Sequence, residues 1–184
     1  DTFYILNKKE NTPIVLIHGV GLNHKIWEPQ INSFNNTVLV YDILGHGNTP
    51  LTKPQISFDD FSLQLLNLID ELKFEKIHLV GFSIGSLIAR NFASNYNNRL
   101  ESLTLLCSVF QRSKEQQQIV NDRFELSKKS RSLSKQALKR WFTDDYINKK
   151  NWTGHHYYYL SLQFLSQHCP YEIPYLTVQY FEGQ

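Results

Sequence analysis

The chain has 184 residues, 41 % of them apolar and 20 % charged, with a formal net charge of +2, the balance of a globular domain with room for one hydrophobic core. The near-neutral charge and the lack of a basic stripe give no electrostatic case for a nucleic-acid partner. The longest apolar runs, such as Ile14–Ile17 and 103–107, are strand-sized and far below the roughly 20 residues of a membrane span. No signal-peptide pattern opens the chain. Cys107 and Cys169 lie far apart and indicate no disulfide framework. Cys107 closes an apolar run and is expected as a buried thiol, in a reducing, cytoplasmic setting. The chain starts at Asp1 and holds no methionine, which fits a processed product or a fragment.

Taken in chain order, Ile14–Ile17 runs into His18-Gly19, Val38–Tyr41 into Asp42, and 77–80 into Gly81. Continuous β-rich runs of this kind suit strands buried on both faces, as in a parallel sheet. A further run, 103–107, has the same character. Helical patterns lie between these strands. Phe58, Phe61, Leu65, Ile69 and Leu72 recur at helical spacing behind Ser57 and Asp60, which read as a capping-box start. Ile84, Leu87, Ile88 and Phe92 mark a helix directly after the third strand. Strands alternating with helices predict right-handed βαβ units. Residues 113–149 are highly polar and read as two amphipathic helices around Ile119, Val120, Phe124, Leu126, Leu133, Leu138, Trp141 and Phe142. From Asn151 the composition turns Tyr-rich and poor in charge, with strand propensity at Tyr157-Tyr158-Tyr159 and 173–181.

The chemistry concentrates around one serine. Gly81-Phe82-Ser83-Ile84-Gly85 fits the G-x-S-x-G nucleophile elbow, and it stands between a good strand and a good helix. Such a turn holds the serine in a strained conformation, lifts Oγ above the sheet and aims the next N–H, that of Ile84, at a substrate carbonyl oxygen. Gly81 and Gly85 keep the tight turn clear of side chains. His18-Gly19-Val20-Gly21 follows the first buried strand, and Val20 is the best candidate for a second oxyanion donor. His18 reads as a structural hydrogen-bonder rather than a base. Asp42-Ile43-Leu44-Gly45-His46-Gly47 reads as a structural loop at the carboxyl edge of the sheet.

Together the segments LIHGVGLNHKIWEPQ, VLVYDILGHGNTP and IHLVGFSIGSLIARNFA resemble the α/β-hydrolase superfamily, in the same order and spacing. The likeness is greatest to small carboxylesterases and 3-oxoadipate enol-lactonase-like hydrolases. It is good over residues 12–112, extends to 113–149 as cap helices, and is poor beyond. The resemblance implies an α/β-hydrolase fold with a mostly parallel sheet and flanking helices, here partial and lacking its last strands. Residues 1–112 would form the core, 113–150 a helical cap after the fourth predicted strand, and 151–184 an atypical tail with a possible core strand at 173–181. The implied chemistry is acyl transfer without metal or organic cofactor. Ser83 attacks a small ester or lactone, the N–H groups of Val20 and Ile84 hold the oxyanion, and water releases the acyl-enzyme.

The chain departs from that pattern beyond the cap. The family triad runs Ser, then Asp or Glu, then His. The expected acid position falls about where Glu182-Gly183-Gln184 stand, the segment carrying the usual base is missing, and 108–111 offer no alternative carboxylate. A substitute triad is formally available from Asp144 or Asp145 with His155, His156 or His168, against the plainer reading of these histidines as surface and loop residues. Without a base, a serine hydroxyl is a poor nucleophile. The rival reading is therefore a degenerate hydrolase core acting as a binding module. Haloperoxidase-like and C–C-bond hydrolases share the same elbow. An open sheet edge also predicts self-association, with neither a nucleic acid nor a membrane as partner.

Overall fold

A computed structural model describes residues 1–109, 111–129, 143 and 181–182. The chain divides into two compact units, one of Asp1–Ser108 with Tyr171–Gln184 and one of Val109–Pro170. The first unit is built on a sheet of strands β1 (Tyr4–Asn7), β2 (Ile14–Ile17), β3 (Val38–Tyr41), β4 (Ile77–Phe82), β5 (Leu100–Leu106) and β6 (Phe181–Glu182). Their spatial order is β1-β3-β2-β4-β5-β6. The four central strands are parallel, and β1 and β6 pair antiparallel at the two sides. The α/β-hydrolase fold with its mostly parallel sheet is thus present. Of the tail strand expected over 173–181, Phe181 falls within the described residues, and with Glu182 it runs antiparallel to β5.

The parallel pairs are joined by helices, as their geometry requires. A 3-10 turn at His24–Trp27 and the short helix α1 (Glu28–Ile31) precede β3; α2 (Phe58–Glu71) precedes β4, and α3 (Ile84–Asn95) precedes β5. α2 begins with the expected capping box: Ser57 Oγ accepts from Asp60 N–H at 3.3 Å, and Asp60 Oδ2 accepts from Ser57 N–H at 2.8 Å. The hydrogen bond from Lys53 first, then those from Ser57, hold the Asp60 carboxyl down at about 2.

The core lies between one face of the sheet and the helices α2 and α3. Val15, Ile17, Leu39, Tyr41, Leu79, Leu103 and Leu105 project to that side and meet Leu65, Ile69, Ile88 and Phe92. The pattern of α2 is corrected at its start: Phe58 is exposed, and Leu68 joins the buried stripe instead. Leu68 packs with Leu65 and Ile69 in the core, as residues three and four apart on one helix face do. The other sheet face carries Ile14, His78, Val80, Ser102 and Thr104, which line an open cleft of about 690 Å³.

At the amino ends of β4 and β5, Arg99 acts as a clamp. Its Nε donates to Glu75 O at 2.8 Å, Nη1 to Asp70 Oδ1 at 2.6 Å and Nη2 to Phe74 O at 2.6 Å. The second unit contains α4 (Lys114–Lys129), the first of the two expected polar helices, on which Ile119 and Val120 are exposed. The second expected helix and Tyr157–Tyr159 lie outside the described residues.

Candidate active site

β4 runs directly into the elbow and α3 starts one residue later, so Ser83 stands between strand and helix. Its backbone takes φ 56° and ψ −116°, a conformation L-residues rarely adopt. The surroundings over-determine it. Ser83 N–H donates to Leu106 O on β5 at 3.0 Å. Its C=O accepts from Ser86 N–H at 3.0 Å and from the Ser86 hydroxyl at 2.6 Å. Ser86 is fully buried.

The two elbow glycines are required for different reasons. A Cβ at Gly81 would lie 2.2 Å from Gly85 O and 2.7 Å from Ser86 Cα, inside the first turn of α3. A Cβ at Gly85 would lie 2.6 Å from Ile17 O and 2.7 Å from His18 O, at the end of β2. Every one of these neighbours is backbone, so no rotamer change relieves the clash. The close approach sets the first turn of α3 against the strand end from which the His18–Gly21 segment leaves. Ile84 N–H belongs to that first turn, where a helix has N–H groups without intrahelical acceptors and the positive end of its dipole.

The segment after β2 is a tight turn closed by Leu22 N–H donating to Gly19 O at 3.2 Å. Gly21 takes φ +72°, which glycine adopts without strain. A Cβ at Gly19 would lie 3.1 Å from the Phe82 ring, so this turn sits beside the elbow. Val20, at its tip, is 61 % exposed.

The loop after β3 is organised by Asp42, which is fully buried. Its Oδ1 accepts from His24 N–H at 2.7 Å and from His24 Nδ1 at 2.8 Å; its Oδ2 accepts from Asn48 N–H at 2.9 Å. A Cβ at Gly47 would fall 2.1 Å from Asp42 Oδ2, which explains the glycine after His46. Gln64 of α2 braces the same loop, accepting from Leu44 N–H and donating to Asp42 O, each at 3.1 Å. Asp42 is therefore structural, as expected. His24, Gln64 and Ser86 went unread in the sequence. A hydroxyl three residues after Ser83 was a usable signal for Ser86, whereas His24 and Gln64 act through tertiary contacts alone.

Among the described residues no imidazole hydrogen-bonds Ser83 Oγ. His18 bonds Gly19 O and Ile43 N–H, His24 bonds Asp42, His46 Nδ1 bonds Leu44 O and His78 bonds Ser102. His78 stands five positions before Ser83 along the strand, about 16 Å at ~3.3 Å per residue. Asp144, Asp145, His155, His156 and His168 lie outside the described residues. One expectation is corrected: Cys107 is exposed. β5 ends at Leu106, and Cys107 turns to φ 52°, out of the strand's alternation. Among the described residues, no group of three or more His, Cys, Asp or Glu side chains could hold a metal ion, and no helix is long and apolar enough to cross a membrane.

Comparison with known proteins agrees with this geometry. The family model for the alpha/beta hydrolase fold matches residues 12–168. An (E)-2-((N-methylformamido)methylene)succinate hydrolase of Acinetobacter baylyi is 29 % identical over 80 % of this chain and 57 % of its own length. The 3-oxoadipate enol-lactonase 1 of the same organism is 30 % identical over 56 % of this chain and 40 % of its own length. The chain thus spans less than two thirds of either relative. The crystal structure of MGS-M2, an alpha/beta hydrolase enzyme from a Medee basin deep-sea metagenome library, superposes with a TM-score of 0.73 at 20 % identity, covering 88 % of this chain and 63 % of that one. With the sheet order, the strained serine at the head of α3 and a family match over most of its length, the chain belongs to the α/β-hydrolase fold family.

Proposed function

We propose that this chain is a serine hydrolase acting on small carboxylic esters or lactones through an acyl-enzyme on Ser83. The observation that carries the proposal is the conformation of Ser83, φ 56° and ψ −116° at the strand-to-helix junction. A strained backbone pinned by three hydrogen bonds is a costly way to build an ordinary turn. It is an economical way to present a hydroxyl beside a helix N-terminus. Relatives named as hydrolases, among them an enol-lactonase, support the substrate class.

In the proposed reaction Ser83 Oγ attacks the carbonyl carbon and gives its proton to a general base. The carbonyl oxygen becomes an oxyanion held by the N–H groups of Val20 and Ile84. Collapse expels the alcohol, or opens the lactone, and water attacks the acyl-enzyme in a second round of the same steps. Each oxyanion donor contributes on the order of 3 kcal/mol to the transition state. The described imidazoles bond elsewhere, and the candidates that this chain offers for the base are His155, His156 and His168, oriented by Asp144 or Asp145.

Hydrolysis of p-nitrophenyl acetate by the chain and by Ser83→Ala tests the reading. A loss on the order of 10⁶-fold in kcat on Ser83→Ala is the expected outcome for a working nucleophile. Equal rates in the two proteins would refute it. Replacing each tail histidine in turn with Gln then identifies the base, and a single variant with a comparable loss is expected.

A further inference from the structure

The peptide joining Gly19 to Val20 presents opposite groups at its two sides. In the proposed reaction its N–H, on Val20, is the second oxyanion donor. Its C=O, on Gly19, points the other way, because the bond is trans. Whatever holds that carbonyl therefore sets the direction of the N–H.

The carbonyl is held from within the protein. Leu22 N–H reaches it at 3.2 Å, and His18 Nδ1 lies 2.8 Å from it. A carbonyl oxygen can only accept, so His18 Nδ1 carries a proton. Ile43 N–H, which can only donate, lies 3.1 Å from the other ring nitrogen, so Nε2 is bare. The neutral Nδ1–H tautomer is the one form that satisfies both contacts. Asp42 Oδ1 comes no nearer to Nε2 than 4.0 Å and is engaged by His24. The ring is fully buried, and burial above all lowers its pKa to about 4, so the neutral form persists across the neutral range.

The peptide needs this hold. It lies in an exposed turn with glycine on both sides of Val20, so its own chain does little to resist rotation. Rotated by half a turn, it would offer a carbonyl oxygen where the oxyanion develops, replacing attraction by repulsion. We propose that His18 is a positioning residue for acyl transfer: locked as the Nδ1–H tautomer by Ile43 N–H, it holds the Gly19–Val20 peptide with the Val20 N–H facing the oxyanion. The inference rests on the serine-hydrolase reading above.

Two measurements on the full chain test it. The ¹⁵N shifts of the imidazole rings at neutral pH are expected to show His18 protonated at Nδ1 and bare at Nε2; the reverse pattern overturns the proposal. The second is phosphonylation of Ser83 by an alkyl fluorophosphonate, in which Oγ bonds phosphorus, fluoride leaves, the hydroxyl proton passes to the base and the phosphoryl oxygen occupies the oxyanion position. His18→Gln can replace the Nε2 acceptor but not the Nδ1 donor, while His18→Asn places an amide N–H near Nδ1. Gln is expected to slow the bond-forming step about 100-fold with reversible binding of the reagent unchanged, and Asn to recover the rate to within about tenfold of the parent. Equal rates in parent, Gln and Asn, or a loss in Gln confined to reagent binding, overturn the proposal while leaving Ser83 as the nucleophile. A parent that labels no faster than Ser83→Ala removes the reading of Ser83 and the positioning role with it.

Discussion

Replacing Gly85 by alanine tests how the elbow is built. The added Cβ would lie 2.6 Å from Ile17 O and 2.7 Å from His18 O. Ordinary contact begins at about 3.4 Å, so the first turn of α3 and the end of β2 must part by ~0.8 Å. Both obstacles are backbone oxygens in a parallel sheet, so the cost belongs at the upper end of the overpacking range, about 3 kcal/mol. With a urea dependence of roughly 2 kcal/mol/M, the unfolding midpoint falls by about 1.5 M. The same displacement separates the N–H of Ile84 from that of Val20. In the proposed reaction these two N–H groups hold the oxyanion, and such donors act within a window of about 0.4 Å, so kcat on p-nitrophenyl acetate is expected to fall about 100-fold. Gly21→Ala is the control. Nothing lies within 4 Å of its added Cβ, and only the backbone at φ +72° opposes it. Its cost is about 1 kcal/mol. Tryptophan fluorescence in urea, with Trp27 buried as the reporter, measures both variants. A midpoint for Gly85→Ala equal to the parent's, or a greater loss at Gly21 than at Gly85, would refute the steric account.

Other outcomes follow from the same geometry. Ser83→Gly removes the side chain from a strained backbone and is expected to stabilise the fold by about 1 kcal/mol while abolishing turnover, read by urea midpoint and ester hydrolysis together. Asp42→Ala strands two buried donors on His24 and a partly buried one on Asn48, and should cost about 3 kcal/mol in the same titration; a loss under 1 kcal/mol would contradict the hub assigned to it. The Tyr41 hydroxyl is buried with no hydrogen-bond partner among the described residues, so Tyr41→Phe should be neutral or stabilising by up to about 1 kcal/mol. Burial pushes the Tyr41 phenol up, so it should stay silent in an alkaline absorbance titration while the fold persists. His18 titrates at about 4 in the folded chain against 6.5 when unfolded, so between those values the unfolded state binds the extra proton. Stability from this group is full above pH 6.5 and is lost as pH falls from 6.5 to 4, about 3 kcal/mol in all. His18→Asn should flatten the midpoint-against-pH curve in that window.

What could be read from the chain alone follows the physics of local patterns. β2 and β3 were legible because strands buried on both faces leave unbroken apolar runs; β4 and β5 were read from runs of the same kind, but only alternate residues of theirs are buried and the other face lines the cleft. The capping box at Ser57 was legible because it lies within four residues. β1 was missed: an edge strand of four residues, three half-buried and Ile5 exposed, has too short a pattern to register. Cys107 was misplaced because its composition continues the run of β5 while its backbone leaves the strand at φ 52°. The need for glycine at 81 and 85 could be expected from the elbow, but not that Gly85 makes room for another strand's carbonyls. Asp42 looked like a loop residue and is one. Its three partners could not be named beforehand, because the bonds to His24 cross 18 positions of sequence through folded space.

The Arg99 clamp divides the sheet into two ends of unequal mechanical character. At the amino ends of β4 and β5 one guanidinium ties the exit of α2 to the entrance of β5, so any residue added between 72 and 76 would have to stretch bonds to Asp70, Phe74 and Glu75 together. At the carboxyl end, the exposed segment around Leu51 is tied through Lys53 to Asp60 of α2, a bond to a helix start rather than to the strands. New loops are therefore best grafted at 51–55, where the chain can lengthen without the strands beneath it shifting register. The rim beside Ser83 can lengthen while the far rim keeps the spacing of the sheet.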